Sequence, residues 1–102
     1  MAQLRKVGIA GVGSHLPKKV VTNDDLSKFV DTSDEWIRQR TGIRQRYFAG
    51  EEEPPAYLAV EASKMALERS GLAPNDLDCI LVASTVPDHH VPITACLVQR
   101  GL

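Results

Sequence analysis

The run Cys79–Ala83, CILVA, restricts the fold more than any other part of the chain. Its apolar residues follow one another without alternation, so both faces need cover, and the run is too short for a helix. It reads as a central strand of a layered sheet, most simply a parallel one, with helices above and below. The segment Ile93–Arg100 makes a second demand. Pro92 suits the first turn of a helix there. Ile93, Ala95, Cys96, Leu97 and Val98 then occupy most of its circumference, which predicts burial on nearly all sides. A chain of 102 residues, with two firm strands and about four helices, has too little material to wrap both elements. The fold class is therefore α/β, and residues 1–102 read as part of one domain, incomplete where a helix ended by Gly101 would hand over to the next strand.

The remaining elements follow from local signals. Val7–Val12 (VGIAGV), apolar and bounded by Gly13 and Ser14, reads as a buried strand. Val20–Thr22 is a short extended piece, and Asn23 is a good cap for a helix over Asp24–Val30. Thr32 or Ser33 caps the next helix, Asp34–Thr41, which Gly42 ends; Thr32 with Glu35 fits a capping box and would make Ser33 the first helical residue. Ile43–Phe48 alternates apolar and basic residues and suits a strand or an extended arm. After the acidic turn Glu51–Glu53 comes the longest helix, Ala56–Ser70, with Leu58, Ala62, Met65 and Ala66 as its core stripe and Gly71 as its stop. A short helical turn starts at Pro74.

Composition excludes several functions. Twelve basic and thirteen acidic side chains give a net charge of -1, which offers no general attraction for nucleic acid or anionic lipid. No apolar run approaches the roughly 18–20 residues that span a bilayer. The N-terminus lacks the pattern of a signal peptide. A cytoplasmic protein is the expectation. Cys79 and Cys96 sit in apolar surroundings without metal-binding spacing and read as buried, reduced thiols. His89 and His90 beside Asp88 suggest a metal or a general base, but adjacent residues rarely point at one centre, so solvated loop histidines and no metal are expected. Gly11-x-Gly13 lacks the third glycine of a dinucleotide loop.

The stretch Asp31–Gly42, DTSDEWIRQRTG, holds the single tryptophan. On a helix Trp36 and Arg40 share a face, while Arg38 points elsewhere. An indole beside a guanidinium one turn away makes a clamp for a flat heterocycle carrying phosphates: the ring stacks and the cation meets the anion. Thr32, near the helix start, adds a hydroxyl and exposed backbone donors. The competing reading is a half-buried tryptophan with a stacked arginine that does structural work alone, and spacing leaves both open.

The run VDTSDEWIRQRTGIRQR, preceded by GIAGVGSHLPKKVVTNDDL and followed later by LDCILVASTVPDHHVPITACLVQRGL, closely resembles the amino-terminal region of the β-ketoacyl-acyl-carrier-protein synthase III family. The resemblance implies the first part of a thiolase-like αβαβα fold. It implies a cytoplasmic, homodimeric condensing enzyme that loads an acyl group from acyl-coenzyme A, with acetyl-coenzyme A the expected starter, and joins it to malonyl-acyl carrier protein to open bacterial fatty-acid synthesis. Acyl-coenzyme A is then a substrate, and no separate cofactor or metal is implied. By the same resemblance Trp36 stacks on the adenine, Arg40 and Thr32 contact the coenzyme, and Val91 tips a loop that closes the partner subunit's acyl pocket. Some members carry phenylalanine at that tip. The family's catalytic Cys, His and Asn all fall beyond Leu102; Cys79, Cys96, His89 and His90 do not match them. The isolated chain is accordingly expected to be inactive. Two alternatives are a condensing enzyme of secondary metabolism and a stand-alone coenzyme A-binding module.

Overall fold

A computed structural model describes residues 4–102, which cluster into two units: Leu16–Pro54, and the residues up to His15 together with Pro55–Leu102.

The Leu16–Pro54 unit is built on an antiparallel ribbon. Strand β1 (Lys19–Thr22) pairs with β2 (Gln45–Phe48) in the register Val20 opposite Tyr47 and Val21 opposite Arg46. Alternation along β1 turns Val21 inward, where it is buried, and leaves Val20 half exposed. Two helices bridge the strands. Helix α1 (Asn23–Ser27) starts directly from β1, and its cap is Thr22 rather than the expected Asn23. The Thr22 hydroxyl accepts from the Asp25 amide at 3.1 Å, and the Asp25 carboxylate accepts from the Thr22 amide at 3.2 Å, a reciprocal capping box. Hydrogen bonds from Lys28 and then from Thr22 hold the Asp25 carboxyl well below the usual carboxylate range. The helix stops at Ser27, short of the expected Val30, because the amides of Lys28 and Phe29 turn back on Asp25 and Leu26 in tighter bonds.

Helix α2 (Asp34–Thr41) has the expected limits. Ser33 is the cap, its hydroxyl accepting from the Trp36 amide at 3.2 Å, so the Thr32–Glu35 capping box does not form. Gly42, at φ 73°, returns its amide to the Arg38 carbonyl, a left-handed end that a side chain would strain. Ile37 is the buried residue of α2. The acidic turn hides one member: Glu53 is buried, its carboxylate accepting from the amides of Lys18 at 3.2 Å and Gly50 at 3.1 Å.

In the other unit, α3 (Pro55–Ser70) packs against α4 (Thr94–Gly101). Val60 and Val98 are the buried apolar residues of the pair, whereas the predicted stripe of Leu58, Ala62, Met65 and Ala66 is partly covered. Asp88 accepts from the Ala56 amide at 3.0 Å and so serves an orphan donor in the first turn of α3. Gly71 closes that helix at φ 71°, and Pro74–Asp76 forms a single 3-10 turn.

Three expectations are corrected in this unit. Neither Val7–Val12 nor Cys79–Ala83 is a strand: the one ladder among the described residues joins β1 to β2. A strand exists only through its partner's hydrogen bonds, and these two apolar segments find none here. Ile9 and Leu81 are 88% and 92% exposed as a result. Helix α4 is not buried all round either. Thr94 and Val98 share the buried face, while Ile93 and Cys96 lie in the open. Both cysteines are free and exposed, Cys79 because its segment is unpaired and Cys96 because it sits across the helix from that face. Among the described residues no helix is long and apolar enough to cross a membrane.

Candidate ligand-binding site

Helix α2 brings two of the singled-out residues together, and a third, Thr32, stands two residues before its start. Trp36 and Arg40 are one turn apart, and the Arg40 guanidinium carbon lies 4.9 Å from the indole ring centroid, a stacked cation–π pair. Trp36 remains 53% exposed, so the stack leaves a large part of the indole open to an incoming plane. A small cavity beside it is lined by Asp31, Thr32, Ser33 and Trp36. Thr32 sits just before the cap, and its hydroxyl is buried with no hydrogen-bond partner among the described residues.

Local charges leave Arg40 free to act as a cation. Glu35 accepts from Gln39 at 3.1 Å, and Asp34 binds Arg38 at 3.3 Å and the Asn23 amide at 2.7 Å. The Asn23 hydrogen bond, then Arg38, lower the Asp34 carboxyl below its ordinary range. The acids flanking Trp36 are thus directed along the helix or into the unit. Four residues before Arg40 stands an indole, not a carboxylate, so the guanidinium stacks instead of forming a salt bridge. An aromatic plane and a cation without a salt bridge among the described residues can together take a flat heterocycle with an anionic substituent.

Val91 belongs to the other unit, in the loop before α4, where it is 86% exposed and followed by a cis bond to Pro92. In the same loop His89 and His90 face solvent while Asp88 is turned to α3. Gly11 and Gly13 prove to be packing residues. A Cβ on Gly11 would strike the Ala66 carbonyl, and one on Gly13 the Ala62 carbonyl, so both glycines permit backbone contact with α3. Sequence reasoning missed Asn23 and Glu53 as buried hydrogen-bonding centres; the partners of Asn23 are 11 to 23 residues away, and Glu53 joins the nearby Gly50 amide to the distant Lys18 amide.

No protein-family profile matches the chain. The chain is 53% identical over 102 residues to a β-ketoacyl-acyl-carrier-protein synthase III of Caldanaerobacter subterraneus, covering 100% of this chain and 31% of that protein. A namesake from Caulobacter vibrioides is 57% identical over 94 residues, 92% of this chain and 29% of the relative. Among solved structures, the 3-oxoacyl-acyl-carrier-protein synthase III of Aquifex aeolicus superposes with a TM-score of 0.85 at 52% identity, over 90% of this chain and 30% of that one. The priming β-ketosynthase of the R1128 polyketide pathway gives the same TM-score, 0.85, at 34% identity, with 90% and 28% covered.

Proposed function

The chain belongs to the β-ketoacyl-acyl-carrier-protein synthase III family, spanning 29–31% of the length of those relatives, and on that premise we propose that it contributes the coenzyme-holding part of a thiolase-fold condensing enzyme. The reaction is the decarboxylative condensation of an acyl-coenzyme A starter with malonyl-acyl carrier protein, run by a homodimer in the cytoplasm. The observation that carries this reading is the exposed Trp36 face stacked by an unpaired Arg40 beside the unpartnered Thr32 hydroxyl. Adenine stacks on the indole, Arg40 meets a phosphate, and Thr32 adds a hydrogen bond. Acyl-coenzyme A is the substrate, with no further cofactor.

The catalytic nucleophile lies elsewhere than Cys79 or Cys96. By the family resemblance neither matches the catalytic position: Cys79 stands in an irregular segment, and Cys96, the third residue of α4, falls one segment before the family's nucleophile. The 102-residue chain is therefore expected to show no condensation of acetyl-coenzyme A with malonyl-acyl carrier protein, whereas the full-length protein turns over. A radiolabelled acetyl-coenzyme A assay on both checks this, and product from the short chain would refute it.

The exposed Val91 tip bears on acyl choice. A valine where other members carry phenylalanine leaves more room in the partner's pocket. In competition assays the full-length protein is expected to accept branched acyl-coenzyme A alongside acetyl-coenzyme A, and Val91→Phe to shift preference back to acetyl; strict acetyl use by the unsubstituted protein would count against it. A polyketide priming role is the second reading, supported by the R1128 neighbour, but the identity of 34% against 52% for the fatty-acid synthase neighbour favours the first.

A further inference from the structure

One buried amide holds both ends of α2. Asn23 is 1% exposed, and its Nδ2 donates to the Asp34 carboxylate at 2.7 Å and to the Ile43 carbonyl at 2.8 Å. Asp34 is the first residue of α2, and Ile43 follows directly on its C-cap, Gly42. Both protons of a single NH2 group therefore tie down the entry and the exit of one helix. The Asn23 oxygen accepts from Arg46 Nη2 at 2.6 Å, and Arg46 Nη1 donates to the Val21 carbonyl at 3.3 Å, which fixes the amide to the β1–β2 ribbon. Donors and acceptor of the side chain are all used, as a buried amide requires.

The rest of α2 does little to locate it. The helix has two turns and one buried residue, Ile37, and Trp36 and Arg40 are exposed residues that stack on each other. An eight-residue helix in water is marginal without such ties. We propose that Asn23 is a positioning residue for the Trp36–Arg40 clamp: it sets the pose of the indole and guanidinium beside Thr32, and hence the affinity for the adenine and phosphate of acyl-coenzyme A, without touching that ligand. The inference rests on the clamp reading above.

The test is Asn23→Asp in the full-length protein. The change keeps side-chain volume and the acceptor for Arg46, but sets carboxylate oxygen against both Asp34 and the Ile43 carbonyl. Coenzyme A affinity is read by calorimetry, and KM and kcat by turnover. The expected result is a rise of about tenfold in the coenzyme A Kd and in the acyl-coenzyme A KM, with kcat and the malonyl-carrier KM little changed, as for a misplaced binding group. Adding Asp34→Asn, which returns a donor to one end, should recover most of the loss. Asp34→Ala removes one tie, and with it the Arg38 ion pair that Asp34→Asn also gives up, while leaving those to Ile43 and Arg46; it should give a smaller loss of the same kind, and it carries the test if Asn23→Asp does not fold. Folded variants that bind coenzyme A like the unsubstituted protein, or that lose kcat and both KM values together, overturn the positioning role alone. No coenzyme A binding by the unsubstituted protein overturns the clamp reading and this inference with it.

Discussion

Trp36→Ala in the full-length protein should weaken coenzyme A binding by roughly 5–150-fold, the loss that corresponds to about 1–3 kcal/mol of base–aromatic stacking. The indole is more than half exposed and its ring makes no hydrogen bond among the described residues, so the substitution costs the fold little. The effect should fall on KM for acyl-coenzyme A and spare kcat, because a contact remote from the reacting thioester binds ground and transition states alike. Trp36→Phe should keep part of the affinity, since a smaller ring still stacks. Arg40→Ala should add a loss that shrinks as salt rises, whereas the Trp36 loss should not. The two changes share a stacked contact, so the double variant should fall short of the sum. Titration of coenzyme A into the unsubstituted protein and the four variants decides the matter. An unchanged affinity in Trp36→Ala would assign the indole to the support of Arg40 alone, the structural reading that spacing left open.

What was legible in the sequence was local. Gly42 and Gly71 mark helix ends through backbone freedom, and α2, α3 and α4 lie where those signals and the 3.6 period put them, although the sequence left the cap of α2 open between Thr32 and Ser33. The face shared by Trp36 and Arg40 followed from spacing alone, and the stack is there. What was illegible depends on distant partners. By residue type Asn23 is a better cap than Thr22. The choice between them was made by Asp34, Ile43 and Arg46, which claim the Asn23 side chain and leave Thr22 to cap. Val7–Val12 and Cys79–Ala83 have the composition of strands, but composition supplies no ladder. Exposure of Cys79 and Cys96 follows from the same cause, since a segment without a partner and a helix with one covered face leave thiols open.

Gly13→Ala should be strongly destabilising, at about 3 kcal/mol, the upper end of ordinary overpacking. The new methyl would run into the Ala62 carbonyl oxygen and stand 2.7 Å from the Ala66 nitrogen and 3.1 Å from the Met65 Cβ. The first two are backbone atoms of α3, which cannot move aside without bending the helix. Gly11→Ala meets the Ala66 carbonyl and, at 3.0 Å, both the nitrogen and the Cβ of Ser70, and should cost a similar amount. Two controls separate packing from conformation. Gly8 has nothing within 4 Å and no positive φ, so Gly8→Ala should be neutral or slightly stabilising; Gly42 is equally open but sits at φ 73°, so Gly42→Ala should pay for strain alone. Denaturant midpoints of the full-length variants, compared at constant slope, give the order. If Gly13→Ala melts with Gly8→Ala, the glycine pair does not hold the chain against α3. If instead it leaves stability intact and lowers affinity for a phosphate-bearing ligand, the Gly-x-Gly motif is a binding loop after all, and the close approach to Ala62 and Ala66 is not what requires it.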